Sequence, residues 1–187
     1  SPIGRYAYSK PLPEISGTGR ILVALLKKFD VITVTGSYTQ KKIIENGIPE
    51  NRIFIMPRVT PNAFDARFRP MGIPKKFDVI YLGRLAQVKH VETLIKAISI
   101  VRESNPDIVV AIVGDGPERN NLEELSRKMK VAENIIFTGY HAEIWNWYNK
   151  SKLSVLTSER EGFPYSVVES LSCGVPVITS NCGDIRD

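Results

Sequence analysis

Two carboxylates, Glu161 and Glu169, sit eight residues apart around a Gly-Phe-Pro turn in the stretch Ser158-Glu-Arg-Glu-Gly-Phe-Pro-Tyr-Ser-Val-Val-Glu169. An ionised carboxylate accepts several hydrogen bonds and suits a pair of vicinal hydroxyls. Pro164 fixes φ and suits a helix start. Glu161 is therefore expected in a loop, and Glu169 inside the helix, about 7 Å further along at the α-helical rise. Free N–H groups at the helix start lie between them and can hold an anion. A ligand carrying hydroxyls, then phosphate, then hydroxyls matches the order carboxylate, N–H groups, carboxylate. A nucleotide sugar has that order. Taken alone, the two glutamates read equally well as solvated surface acids, with Glu161 supporting the helix dipole.

A second constellation is Gly83-Arg-Leu-Ala-Gln-Val-Lys89-His90. The glycine permits a close backbone approach. Arg84 supplies a forked donor and Lys89 a point charge, a combination suited to a diphosphate. The same residues also read as two surface cations at a strand–helix turn. Gly114-Asp-Gly-Pro117 is a weaker signal. It resembles a dinucleotide fingerprint, but Arg119 stands where the third glycine is needed. It reads better as a tight turn, with Pro117 at the first helical position.

These residues need elements to position them. Residues 21–29 (ILVALLKKF) read as a short helix and residues 30–35 (DVITVT) as a buried strand. Ser37 is placed to cap a helix through Glu45, stopped by Asn46-Gly47. Residues 52–56 (RIFIM) are another strand. Prolines 57, 61, 70 and 74 then punctuate a stretch with little periodicity, a connector. Beyond it strands and helices alternate regularly. Strands are expected over 77–82, 108–113, 134–137, 153–156 and 175–178, and helices over 91–102, 117–129, 142–149 and 165–171. Five near-continuous Val/Ile/Leu strands alternating with helices predict an α/β, doubly wound parallel sheet of the Rossmann-like kind. Ligands of such sheets bind beyond the C-terminal strand ends, at the switch point of strand order. Gly83-Arg84, Gly114-Asp115, Gly139-Tyr140, residues 158–164 and residues 180–183 all lie just after strands.

Composition narrows the class further. The 187 residues are 43% hydrophobic and 24% charged, as in a globular protein. No apolar run reaches the roughly 20 residues that cross a bilayer. The first residues lack the basic start and apolar core of a signal peptide, which with only two cysteines, Cys173 and Cys182, points to the cytoplasm. Two histidines and two cysteines make no zinc set, and no metal site is expected. The charge is uneven. Residues 1–76 hold 13 Lys/Arg against 5 Asp/Glu, a net +8, and residues 77–187 hold 12 against 15, a net −3. The basic front part suits peripheral contact with an anionic membrane, or is simply a solvated surface. No nucleic-acid partner is indicated.

Together these segments resemble the nucleotide-sugar-binding half of retaining glycosyltransferases of family 4, which have the GT-B fold. The likeness runs through Gly83-Arg-Leu-x-x-x-Lys-His90, Ile112-Val-Gly-Asp-Gly-Pro117, Ile136-Phe-Thr-Gly139, Glu161-Gly-Phe-Pro-x-x-x-x-Glu169 and Gly174-Val-Pro-Val-Ile178. It covers about residues 77–187. Phe29-Asp-Val-Ile and Pro61-Asn-Ala-Phe-Asp65-x-x-Phe68 resemble the family's lead-in. The resemblance implies three parts: residues 1–56 as a remnant of the N-terminal acceptor domain, 57–76 as linker, and 77–187 as the donor-binding domain. It implies that Arg84 and Lys89, with Gly83, bind the diphosphate and steady the leaving nucleotide. Glu161 would contact the donor sugar, and the backbone of Gly162, Phe163, Pro164 and Tyr165 would line the sugar and phosphate site. Glu169 would hold the ribose, and Gly139 and Tyr140 would flank the base. The implied reaction moves a hexose from a nucleotide diphosphate sugar to a glycan or lipid-linked acceptor, with retention, no cofactor and no bound metal. The sequence departs from the family at Ala63, where the linker usually has Gly, at Arg58-Val-Thr60, which reads as an insertion, and at Ser172-Cys173. It also stops at Asp187, before the sixth strand and closing helices expected of this half. A non-catalytic nucleotide-sugar-binding or scaffolding module is the alternative reading.

Overall fold

Runs of Val, Ile and Leu make the strands here because both faces of the main sheet are covered. The computed structural model describes residues 17–56 and 65–185. Among these, residues 17–56, 160–164 and 181–185 group as one compact unit, and 65–159 with 165–180 as the other. The residues 58–63 that depart from the family lead-in lie outside the described residues.

The first unit carries α1 (Gly17–Leu26), β1 (Ile32–Val34), α2 (Ser37–Glu45) and β2 (Ile53–Ile55), the two strands pairing in parallel. Ile32, Val34, Ile48 and Ile53 form its small core. β1 alternates buried and exposed residues, and Phe54 and Ile55 of β2 are exposed, so these strands are covered on one face only. That corrects the expectation of a fully buried strand at 30–35. Ser37 is not the cap of α2. Gly36 occupies the N-cap position and Ser37 is already helical. The cap comes from Asp184, whose carboxylate accepts the Thr39 N–H at 3.0 Å.

The second unit holds β3 (Phe77–Leu82), β4 (Val110–Val113), β5 (Ile135–Gly139), β6 (Ser151–Leu156) and β7 (Val177–Thr179). All pairings are parallel, in the order β5-β4-β3-β6-β7. The period-two pleat sorts the core. Val79 and Tyr81 of β3, with Val110 and Ile112 of β4, pack with Leu94, Ile95 and Ile98 of α3 (Val91–Val101) and Leu122 of α4 (Arg119–Lys128). Ile80, Ala111 and Val113 point the other way, into a cluster with Phe68, Tyr148 of α5 (Ile144–Asn149) and Cys173, which follows α6 (Tyr165–Ser172). The sheet is therefore doubly covered, as its composition requires.

Connectivity fixes where the crevice opens. The chain steps outward from β3 to β4 to β5, then α5 carries it back to lay β6 on the free side of β3. Strand order reverses between β3 and β6, which makes their C-terminal ends the switch point. Two helices start later than their patterns suggest. α4 begins at Arg119 rather than Pro117, after a turn closed by the Arg119 N–H on the Gly116 carbonyl at 3.1 Å. α5 begins at Ile144 rather than Ala142.

Candidate functional site

The loop after β3 is built by close backbone packing. The Gly83 N–H donates to the Val113 carbonyl at 3.0 Å, and the Leu85 N–H to the Asp115 carbonyl at 2.9 Å. The two glycines of Gly114-Asp-Gly116 make this possible. A Cβ on Gly114 would lie 2.0 Å from the Gly83 carbonyl oxygen, and one on Gly116 would lie 2.2 Å from that of Leu85. The glycine pair thus serves the junction of two strand-end loops, the tight-turn reading of this motif.

Buried Leu85 anchors the loop. Arg84 beside it is exposed, and its carbonyl accepts the Tyr81 hydroxyl at 3.3 Å. A single 3₁₀ turn (Gln87–Lys89) follows, ending at half-buried Lys89. His90 then takes the left-handed conformation, φ 46°, and starts α3. Non-glycine residues adopt that conformation at some cost, and fixed surroundings must hold it.

The loop after β6 supplies those surroundings. The Thr157 hydroxyl donates to the Lys89 carbonyl at 2.8 Å, and the Glu159 N–H to the Val88 carbonyl at 3.0 Å. The His90 ring lies between Glu92 Oε1, 2.8 Å from Nδ1, and Glu159 Oε2, 3.4 Å from Nε2. The Glu92 hydrogen bond is the main reason that the imidazole is held above its ordinary pKa, with the bond to Glu159 adding to it. The Ser180 hydroxyl, just past β7, donates to the Ser158 carbonyl at 2.5 Å. The structure thus brings the Gly83, Arg84 and Lys89 loop and the 157–159 loop together at the switch point. The link through His90, Glu92, Thr157 and Glu159 was not legible in the sequence. His90 and Glu159 lie 69 positions apart, and no spacing rule couples them.

Beyond Glu159 the chain passes through residues 160–164 before α6 begins at Tyr165. Glu161, Gly162 and Phe163 are half-buried and Pro164 is buried. Glu161, Gly162, Phe163 and Pro164 belong to the first unit, whereas Tyr165 and Glu169 belong to the second. Tyr165 is half-buried. Glu169 is 7% exposed, so it is not a solvated surface acid. It lies close enough to Cys173 and Tyr148 to act on both. Burial first, and the Glu169 carboxylate second, push the Cys173 thiol up to about 11. The same two causes raise the Tyr148 phenol well above its usual range.

Gly139 closes β5 at φ 78°, and its carbonyl accepts the Gly114 N–H at 2.8 Å. Tyr140 after it is 80% exposed, an aromatic face open to solvent at a strand end. Among the described residues, no group of three or more His, Cys, Asp or Glu side chains is arranged to hold a metal ion.

A model of the family "Glycosyl transferases group 1" matches residues 63–187. The chain belongs to this family. An uncharacterized glycosyltransferase of Methanocaldococcus jannaschii is 29% identical over 166 residues, 83% of this chain and 41% of that protein. The O-antigen biosynthesis glycosyltransferase WbnH of Escherichia coli is 31% identical over 157 residues, 82% of this chain and 42% of its own length. This chain therefore spans less than half the length of these curated relatives. Among solved structures, Anabaena HepE in complex with UDP matches with a TM-score of 0.81 at 20% identity, over 96% of this chain and 53% of that one. That likeness is one of fold. The sheet of β3 to β7 is the parallel sheet of one half of a GT-B glycosyltransferase.

Proposed function

We propose that this group 1 glycosyltransferase chain supplies the donor-binding half of a retaining, family 4 enzyme. The enzyme transfers a hexose from a nucleotide diphosphate sugar to a glycan or lipid-linked acceptor. The observation that carries the reading is the hydrogen-bonded meeting of the residue 83–90 and 157–159 loops at the β3–β6 switch point, with Arg84 and Lys89 on the first loop. Support also comes from HepE, which was crystallised in complex with UDP.

In this reading Arg84 and Lys89 face the diphosphate. The bond from the anomeric carbon to the diphosphate oxygen breaks with its electron pair on the diphosphate. The two cations receive that developing charge, the kind of fixed electrostatic stabilisation that carries most phosphate chemistry. N–H groups of Gly162, Phe163 and Tyr165 add to it at the start of α6. Glu169 accepts the ribose hydroxyls, Glu161 accepts sugar hydroxyls, and Gly139-Tyr140 flank the base. The acceptor hydroxyl oxygen then bonds to the anomeric carbon on the face the diphosphate left, and its proton passes to the departing diphosphate oxygen. The acceptor is held through the part of the relatives' length that this chain does not span. The basic residues 1–76, net +8, suit a membrane-peripheral setting on the cytoplasmic side for a lipid-linked acceptor. No helix among the described residues is long and apolar enough to cross a bilayer.

Transfer by a longer protein carrying this chain tests the proposal. The product from an α-linked donor is expected to keep the α configuration by NMR, and Glu161→Ala is expected to abolish transfer. A β-linked product, or full activity in Glu161→Ala, would overturn it.

A further inference from the structure

Asp184 is a buried carboxylate, 6% exposed, with its partners far away in the chain. The Thr35 and Thr39 hydroxyls donate to its Oδ2 at 2.7 and 2.8 Å, and the Thr39 N–H donates to its Oδ1 at 3.0 Å. Thr39 is the third residue of α2, so this N–H is one of those a helix cannot satisfy internally. Gly36, at the N-cap, has no side chain for the task. A carboxylate 145 residues later does it instead, and its negative charge also suits the positive end of the helix.

The residue before Asp184 touches something else. Gly183 takes φ +59°, and a Cβ there would stand 2.3 Å from the Glu161 carbonyl oxygen. The Gly183 backbone is therefore pressed against the Glu161-Gly162 peptide. Gly162 itself has no heavy atom within 4 Å of its would-be Cβ, so that side of the loop is open. Two consecutive residues thus brace two things. Gly183 supports the loop bearing Glu161, and Asp184 ties that support to Thr35 and Thr39 at the start of α2.

We infer that Asp184 is a positioning residue for Glu161: its bonds to Thr35 and Thr39 hold the Gly183 turn that sets the Glu161 loop against the sugar end of the donor. This rests on the nucleotide-sugar reading. It predicts a dependence that a general structural role would not produce. The diphosphate and ribose end of the ligand is assigned chiefly to Arg84, Lys89 and Glu169, with the N–H groups at the start of α6 adding to it. Only the sugar end depends on Glu161.

Two measurements on the full chain test this. In hydrogen exchange, Asp184→Ala is expected to speed exchange of the amides of residues 161–163 about tenfold, the factor for losing roughly one net hydrogen bond to a charged group. The amides of residues 83–90 should be unchanged. In titrations with UDP against UDP-glucose and GDP against GDP-mannose, Asp184→Ala should weaken the nucleotide sugar several-fold more than the nucleoside diphosphate. Asp184→Asn, which keeps an acceptor for the Thr39 N–H, should restore most of the loss. If Asp184→Ala does not fold, the double variant Thr35→Val, Thr39→Val removes the hydroxyl bonds from the other side and should give the same pattern. Unchanged exchange at 161–163, or equal weakening of diphosphate and sugar forms, would overturn the role. If the unsubstituted chain binds none of the four ligands, the nucleotide-sugar reading fails and the positioning role falls with it. The exchange result then still reports whether the brace exists.

Discussion

At the residue scale, the contested feature was whether the charged side chains at the strand ends are solvated surface groups. Glu169 answers for itself, since it is buried beside Cys173 and Tyr148. Arg84 is exposed and must be tested by what it binds. Arg84→Ala is expected to weaken nucleoside diphosphate binding by about 1.5–3 kcal/mol, the range for a hydrogen bond between charged groups. A titration showing no loss would contradict that role. His90 makes a pH prediction. Its bonds to Glu92 and Glu159 hold its pKa above 6.5 in the folded chain, so the folded state binds that proton more tightly. The stabilisation is complete below about pH 6.5 and is lost as pH rises through the raised value. The ring is 37% exposed, so solvent and salt screen the effect and it is modest. The difference in unfolding free energy between the wild type and His90→Gln should be largest at the acid end of this window. It should shrink as pH rises, and a difference flat with pH would contradict the clamp.

At the element scale, the site depends on how tightly the β3 and β4 loops approach. Gly114 combines φ +139° with a would-be Cβ 2.0 Å from the Gly83 carbonyl oxygen, a backbone atom that cannot swing away. Gly114→Ala is therefore expected to destabilise the chain by at least about 2 kcal/mol, through strain and overpacking together. The urea midpoint should fall with little change in slope. Unaltered stability would mean that the loops part easily. Much of this level was legible in the sequence. The five strands of the second unit follow from Val/Ile/Leu runs, and α6 begins at Tyr165, beside Pro164, as the proline implies. What was not legible was long-range. Local chemistry favours Ser37 as the cap of α2, whereas the capping carboxylate lies 145 residues from the N–H that it accepts. The bond from the Glu118 N–H, just before α4, to the Leu85 carbonyl is likewise announced by no local pattern. Spacing also could not reveal that the loop after β6 grips the loop after β3 through Thr157 and Glu159. Hydrogen bonds between strand-end loops follow from topology, and topology appears only once the sheet is assembled.

At the scale of the whole molecule, family membership and the GT-B half-fold account for the parallel sheet, the position of the switch point and the glycine-rich strand ends. In the proposed donor reading, one ligand takes the exposed Arg84, the half-buried Lys89 and the buried Glu169. Since the chain spans less than half the length of its curated relatives, binding is the property most directly testable on it. The most direct measurement is calorimetric titration of this chain with UDP and GDP, repeated on Glu169→Ala with its fold confirmed by circular dichroism. The account predicts that at least one nucleoside diphosphate binds, and that Glu169→Ala weakens it by about 1.5–3 kcal/mol, through lost hydrogen bonds to a charged acceptor. Absence of any binding, or an affinity untouched by Glu169→Ala, would contradict it.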